Sequence, residues 1–136
     1  MTSTPNSSSG QGQTPVGAVL VAAGRSQRMG GPLPKIWLEL GGEAVILHSL
    51  RALRATPSVG HIVVVANEKD FEAIEGLVSN HSLGPATWTA GGKERADSVS
   101  RGLLELTTQN PDRQGLVLVH DAARPLVLPK DIEDLI

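Results

Sequence analysis

The sequence predicts an α/β fold: a doubly wound, mostly parallel sheet with helices on both faces. Three observations predict it. Short apolar runs without strict polar alternation recur along the chain, as expected of strands covered on both sides. Segments with apolar residues at helical spacing separate them. The two kinds of segment alternate, which is the pattern of strand–helix–strand units in a parallel sheet.

The elements follow in order. "VGAVLVAA" (Val16–Ala23) is a continuous, partly β-branched run and reads as the first buried strand. "IWLEL" with the following "GG" (Ile36–Gly42) reads as a short extended piece and a turn. "AVILHSLRALRA" (Ala44–Ala55) places Ile46, Leu47, Leu50 and Leu53 on one helical face, with Arg51 and Arg54 elsewhere. Thr56–Pro57 stops it, because a residue before proline is pushed out of the helical region. "HIVVVA" (His61–Ala66) is the second buried strand. "KDFEAIEGLVSN" (Lys69–Asn80) carries Phe71, Ile74, Leu77 and Val78 at helical spacing. "ATWTA" (Ala86–Ala90) is a third strand that ends at Gly91–Gly92. "ADSVSRGLLEL" (Ala96–Leu106) puts Val99, Leu103 and Leu106 on one face, with Asp97 and Ser98 near its start. "LVLVH" (Leu116–His120) is a fourth strand, and "PKDIEDLI" (Pro129–Ile136) opens a helix with proline in its first turn.

The bulk properties narrow the function. A chain of 136 residues is one domain at most. Aromatic residues are confined to Trp37, Phe71 and Trp88, so the core rests on Val, Leu, Ile and Ala. A net charge of −2 argues against a general nucleic-acid or membrane surface. With no cysteine there is no disulfide framework, thiolate nucleophile or Cys-based zinc site, which fits a reducing, cytoplasmic location. Residues 1–15, "MTSTPNSSSGQGQTP", have neither a basic nor an apolar signal region and read as a disordered tail. The longest apolar stretch, Val16–Ala23, is too short to span a bilayer. The folded part is expected over residues 16–136.

In such sheets ligands sit beyond the carboxyl ends of the strands. Three loops leave those ends, and they carry most of the unusual chemistry. The first, from Gly24 to Pro34, holds Arg28, Gly30 and Gly31 and runs on to Lys35. Glycines let backbone N–H groups turn toward an anion, and Arg and Lys add full charge. It matches neither a Walker A loop nor a dinucleotide fingerprint, so it reads either as a phosphate cradle or as a flexible connection with solvated charges. The second, "GGKERADS", offers Gly91 and Gly92 for close approach of a flat ligand, Ser98 for a hydrogen bond and Arg95 for an anion. Taken alone it reads first as a glycine turn with Asp97 or Ser98 capping the next helix. The third, "HDAARP", places Asp121 directly after an apolar strand, where a carboxylate can meet Mg²⁺, a hard cation that favours oxygen ligands. Arg124 can pair with Asp121 or touch substrate. His48, His61, His81 and His120 show no ligand spacing.

Basic groups for a triphosphate, glycines for a base and a carboxylate for Mg²⁺ together point to nucleotidyl transfer. Attack on an α-phosphate builds negative charge on its oxygens, and Mg²⁺, Arg and Lys counter it. An attacking phosphate oxygen is already ionised at neutral pH, so no strong general base is needed.

"AAGRSQRM…PK", "GGKERADSV" and "VHDAARP", in this order and spacing, resemble the 2-C-methyl-D-erythritol 4-phosphate cytidylyltransferase family of non-mevalonate isoprenoid biosynthesis. The resemblance covers Val16 to Ile136. It implies a Rossmann-like nucleotidyltransferase fold, here read as truncated at the C-terminus. It implies that Ala22, Ala23 and Gly24 wrap the CTP phosphates, and that Arg28 and Lys35 are the catalytic, positively charged residues that stabilise the transition state. Gly91, Gly92 and Ser98 would read cytosine, with Arg95 and Ala96 beside them. Asp121 would hold Mg²⁺, with Ala122 next to it and Arg124 on the substrate side. The implied reaction joins CTP to the methylerythritol phosphate and releases diphosphate. Implied partners are CTP and a polyol phosphate, with a homodimer in the full-length family and neither nucleic acid nor membrane. Lys93 departs from the small or acidic residue usual there. Two other readings stand beside this one: a cytidylyltransferase for another polyol phosphate such as ribitol 5-phosphate, and a CTP-binding module without turnover.

Overall fold

A computed structural model describes residues 16–23, 35–109 and 117–122. The expected tail at residues 1–15 and the expected helix at Pro129–Ile136 lie outside the described residues. Among the described residues six strands and three α-helices follow in chain order: β1 (Val16–Val21), β2 (Glu39–Leu40), β3 (Glu43–Ala44), α1 (Val45–Arg54), β4 (Val59–Ala66), α2 (Phe71–Asn80), β5 (Ala86–Ala90), α3 (Arg95–Gln109) and β6 (Val117–Asp121).

Four strands form one parallel sheet in the order β5-β4-β1-β6. The chain lays down β1, β4 and β5 in one direction and then returns to place β6 on the other side of β1. The order therefore reverses between β1 and β6, where Val21 is the register partner of Asp121.

Side chains on a strand alternate between its faces, and here both sets are buried. Ala18, Leu20, Ile62 and Val64 pack with Ile46, Leu50 and Leu53 of α1 and Ile74 of α2. Val19, Val21, Val63 and Val65 pack on the other face with Leu106 of α3. This two-sided burial is why the strands read as unbroken apolar runs rather than alternating ones. Truncating a fully buried residue such as Leu50 removes apolar contact from both the helix and the sheet, and costs about 2–5 kcal/mol.

Helix α1 has the expected apolar face and also buries Val45, Ser49 and Ala52. It ends where the Thr56 hydroxyl, fully buried, donates back to the Ala52 carbonyl at 2.8 Å, ahead of Pro57. Before it, Gly41 and Gly42 turn the β2–β3 hairpin with φ of 66° and 86°, a region that favours glycine. The stretch read as extended from Ile36 begins instead with a 3-10 turn, Lys35–Trp37, fastened by the burial of Ile36 and by Trp37 Nε1 donating to Asp70 Oδ1 at 3.1 Å.

Helix α3 differs most from expectation. Leu103 is 37% exposed, and the buried stripe is Ser98, Gly102 and Leu106. The cause is close packing. A Cβ at Gly102 would lie 2.5 Å from Val19 Cγ1 and 2.9 Å from Val65 Cγ2, so only glycine lets the helix lie this near the sheet. The other boundaries shift by a few residues: the first strand stops at Val21, the second starts at Val59, and a 3-10 turn at Glu68–Asp70 precedes α2. The last strand takes in Asp121 itself.

Candidate functional site

The carboxyl ends of the strands carry a concave site of about 300 Å³, toward the small end for a small-molecule pocket. Val21, Ala23 and Asp121 line it from the sheet. Gly92, Ser98 and the charged run Lys93–Arg95 line it from the start of α3. The pocket thus lies beside the β1–β6 reversal, where doubly wound sheets open a crevice.

Each wall has a local cause. Beyond β1 the ladder continues one residue, with Ala22 N–H donating to the Val65 carbonyl at 2.7 Å, and Ala22 is buried. Ala23 is then half-buried at the pocket. Beyond β5, Gly91 N–H donates to the Ala66 carbonyl at 3.2 Å. A Cβ at Gly91 would lie 2.5 Å from Ala23 Cβ and 2.8 Å from Ser98 Oγ. Glycine is demanded there by the protein's own packing, whatever a ligand adds. A Cβ at Gly92 would lie 2.3 Å from Asp97 Cβ, so the same holds at the next position.

The start of α3 is held by both of the residues that the sequence marks as possible caps. Asp97 Oδ2 accepts from Glu94 N–H at 3.2 Å, the carboxylate half of a capping box. Ser98, only 3% exposed, accepts from Gly92 N–H at 3.2 Å through its Oγ. The glycine loop, the helix start and the pocket wall are therefore one hydrogen-bonded unit. Lys93, Glu94 and Arg95 stand exposed at its rim.

The third wall comes from β6. Asp121 is half-buried at the end of its strand. Ala122 is fully buried; its N–H donates to the Val21 carbonyl at 2.9 Å and its carbonyl accepts from the Ser49 hydroxyl at 3.2 Å. Ala122 therefore fixes the strand end through its backbone.

Of the residues singled out in the sequence, Ala23, Gly92, Arg95, Ser98 and Asp121 meet at this one pocket. Ala22, Gly91 and Ala122 support it from beneath, and Ala96 is exposed on the first turn of α3. Lys35 opens the 3-10 turn that Trp37 ties to Asp70. Gly24, Arg28 and Arg124 lie outside the described residues. Sequence reasoning missed Ser49, Asp70 and Gly102. A serine within the apolar face of α1 and a glycine in mid-helix are the signals that could have found two of them.

No cluster of three or more His, Cys, Asp or Glu able to hold a metal occurs among the described residues. The Asp121 carboxylate, with an open cavity before it and Glu94 at the rim, suits a cation that keeps several waters and shares its shell with phosphate oxygens, as Mg²⁺ does.

Comparison with known proteins bears on this geometry. A chain from Pseudoalteromonas translucida named 2-C-methyl-D-erythritol 4-phosphate cytidylyltransferase is 42% identical over 123 residues, which is 89% of this chain and 48% of that protein. One of the same name from Halalkalibacterium halodurans is 37% identical over 119 residues, 87% of this chain and 50% of that protein. The chain thus spans about half the length of the curated relatives it matches. The solved 4-diphosphocytidyl-2C-methyl-D-erythritol synthase from Anaerococcus prevotii shares the fold with a TM-score of 0.73 at 24% identity, covering 89% of this chain and 48% of its own. A second solved synthase of that name gives 0.69 at 26% identity, over 88% of this chain and 52% of its own. The family model described as 2-C-methyl-D-erythritol 4-phosphate cytidylyltransferase matches residues 16–136, and the chain belongs to that family.

Proposed function

We propose that residues 16–136 are the nucleotide-binding part of a cytidylyltransferase that transfers CMP from CTP to 2-C-methyl-D-erythritol 4-phosphate. An oxygen of the acceptor phosphate attacks the α-phosphorus, the bond to the β-phosphate breaks, and diphosphate leaves. One observation carries the reading: the ends of β1 and β6 and the start of α3 close on a single pocket at the sheet's reversal point.

The roles follow from the chemistry and from family membership. Ala22, Ala23 and Gly24 serve the phosphates, with Ala22 acting from beneath because its N–H is held by the Val65 carbonyl. Arg28 and Lys35 stabilise the charge that builds as the leaving group departs. Gly91, Gly92 and Ser98 face the base, with Arg95 and Ala96 at its edge. Ser98 suits this role because its oxygen accepts from Gly92 N–H while its own O–H remains a donor. Asp121 is the carboxylate for Mg²⁺, which when bound neutralises phosphate charge and orients the triphosphate. Ala122 holds the Asp121 turn, and Arg124 serves the acceptor side. The protein works in the cytoplasm and pairs as a homodimer. No helix among the described residues is long and apolar enough to cross a membrane.

The test is diphosphate release from CTP with methylerythritol phosphate or ribitol 5-phosphate, run beside thermal stabilisation by CTP with Mg²⁺. The expected result is stabilisation by CTP·Mg²⁺ and release with the methylerythritol substrate alone. Stabilisation without release would reduce the function to nucleotide binding. No stabilisation at all would overturn the reading.

A further inference from the structure

We infer that Ser49, in the middle of α1, is a positioning residue for the Asp121 carboxylate. It sits among Ile46, Leu50 and Leu53 on the apolar face of the helix and is fully buried. A hydroxyl there is a liability for packing, because taking it out of water is unfavourable unless it finds a partner. An alanine would fill the helix face without that penalty. The hydroxyl instead reaches 73 residues along the chain and donates to the Ala122 carbonyl at 3.2 Å.

That bond bears on the site because of where β6 lies. Among the described residues β6 pairs with β1, and that ladder runs to its end. The last pair of that ladder is Val21 with Asp121, followed by Ala122 N–H donating to the Val21 carbonyl at 2.9 Å. Ser49 takes the next backbone group, the Ala122 carbonyl, and anchors it to a different layer of the fold. The two main-chain groups that follow Asp121 are thereby fixed from two directions, one in the sheet and one from the helix beneath. A carboxylate that must meet a cation and a phosphate oxygen together needs its backbone set to a fraction of an ångström, and this second anchor adds a restraint from outside the β1 ladder.

The inference rests on the reading of Asp121 as the Mg²⁺ carboxylate, so its test separates the two. The full chain is titrated with MgCl₂ at fixed CTP, and with CTP alone in EDTA, for wild type and for Ser49→Ala, Ser49→Cys, Ser49→Thr and Asp121→Asn. In Ser49→Ala the Mg²⁺ half-saturation should rise about tenfold, the low end of what losing an outer-shell partner does to metal affinity. Affinity for CTP in EDTA should stay as in wild type. Ser49→Cys, nearly isosteric and a weak donor, should give an intermediate rise, and it decides the question if the alanine variant does not fold. Ser49→Thr, which keeps the hydroxyl, should restore the wild-type value. Wild-type Mg²⁺ half-saturation in both the Ala and Cys variants, with only thermal stability lowered, overturns the inference and leaves Asp121 in its role. An Asp121→Asn protein with unchanged Mg²⁺ dependence overturns the metal reading, and the inference falls with it.

Discussion

The two ends of the same sheet use polar groups in opposite ways. At the amino ends of β4 and β5, Arg54 donates to the carbonyls of Val59, Leu83 and Pro85 at 3.0 to 3.2 Å, so its cation is spent inside the protein. Beside it, His61 Nε2 lies 3.0 Å from Thr87 Oγ1, one strand to the next. At the carboxyl ends, Lys93 and Arg95 stand exposed around a cavity, and the polar contacts beneath them hold the loop in shape. An arginine that answers backbone carbonyls is architecture. A carboxylate and cations placed around an open space are material for a ligand.

The largest expected effect breaks the closed end. Arg54→Met should lower stability by about 2–3 kcal/mol, because carbonyls now answered by a charged donor lose their partner. CTP binding by the folded variant should be unchanged, which denaturant unfolding and a CTP titration would check together. A loss of CTP affinity matching the loss of stability would erase the distinction between the ends.

Gly91→Ala probes the open end. Its Cβ would collide with Ala23 Cβ and Ser98 Oγ, so about 1–3 kcal/mol of stability should go with overpacking. CTP affinity should fall at the same time, in contrast to Arg54→Met. Retained affinity in a destabilised Gly91→Ala protein would show that the rim does not shape the nucleotide site.

Asp97→Ala sharpens the contrast further. Removing the carboxylate that accepts from Glu94 N–H should cost about 1 kcal/mol, the usual value of a helix-start bond. The charged rim should loosen, visible as faster amide exchange at Glu94 with little change at Leu106.

The smallest effect is a pH dependence from the closed end. Burial, and then the nearby Arg54 charge, push the His61 pKa below its ordinary value near 6.5. Between 6.5 and that depressed value the unfolded chain binds more protons than the folded one. Stability therefore rises with pH across this window and levels off below it, where both states carry the proton. His61→Gln should flatten the slope in a thermal-melt series, and an unchanged slope would remove His61 as its source.

How much of this was legible in the sequence depended on what each residue answers to. Strands β1 and β4 announced themselves because both faces are buried and nearly every position is apolar. The face of α1 was legible at Ile46, Leu47, Leu50 and Leu53 for the same reason. Leu103 was misread because periodicity counts only apolar side chains, and the true contact of α3 runs through Gly102, which has none. The pocket residues were legible as types: glycines, a serine and an aspartate after strands. What the sequence left open was whether Asp97 or Ser98 capped α3; in the structure each takes a different N–H. Ser49 was legible only as a hydroxyl on an apolar face; its partner lies 73 residues away, and no local pattern reports a bond of that span.

Gly102 has a consequence at a distance from itself. It lies four residues, roughly one turn or about 6 Å of rise, along α3 from Ser98, whose hydroxyl forms part of the pocket wall. The missing side chain acts as a spacing gauge: the gap between helix and sheet is set at Val19 and Val65, and the aperture above inherits that setting. A single methyl added to this buried glycine would work like a shim under one end of a beam, and the displacement would be read at the mouth of the cleft.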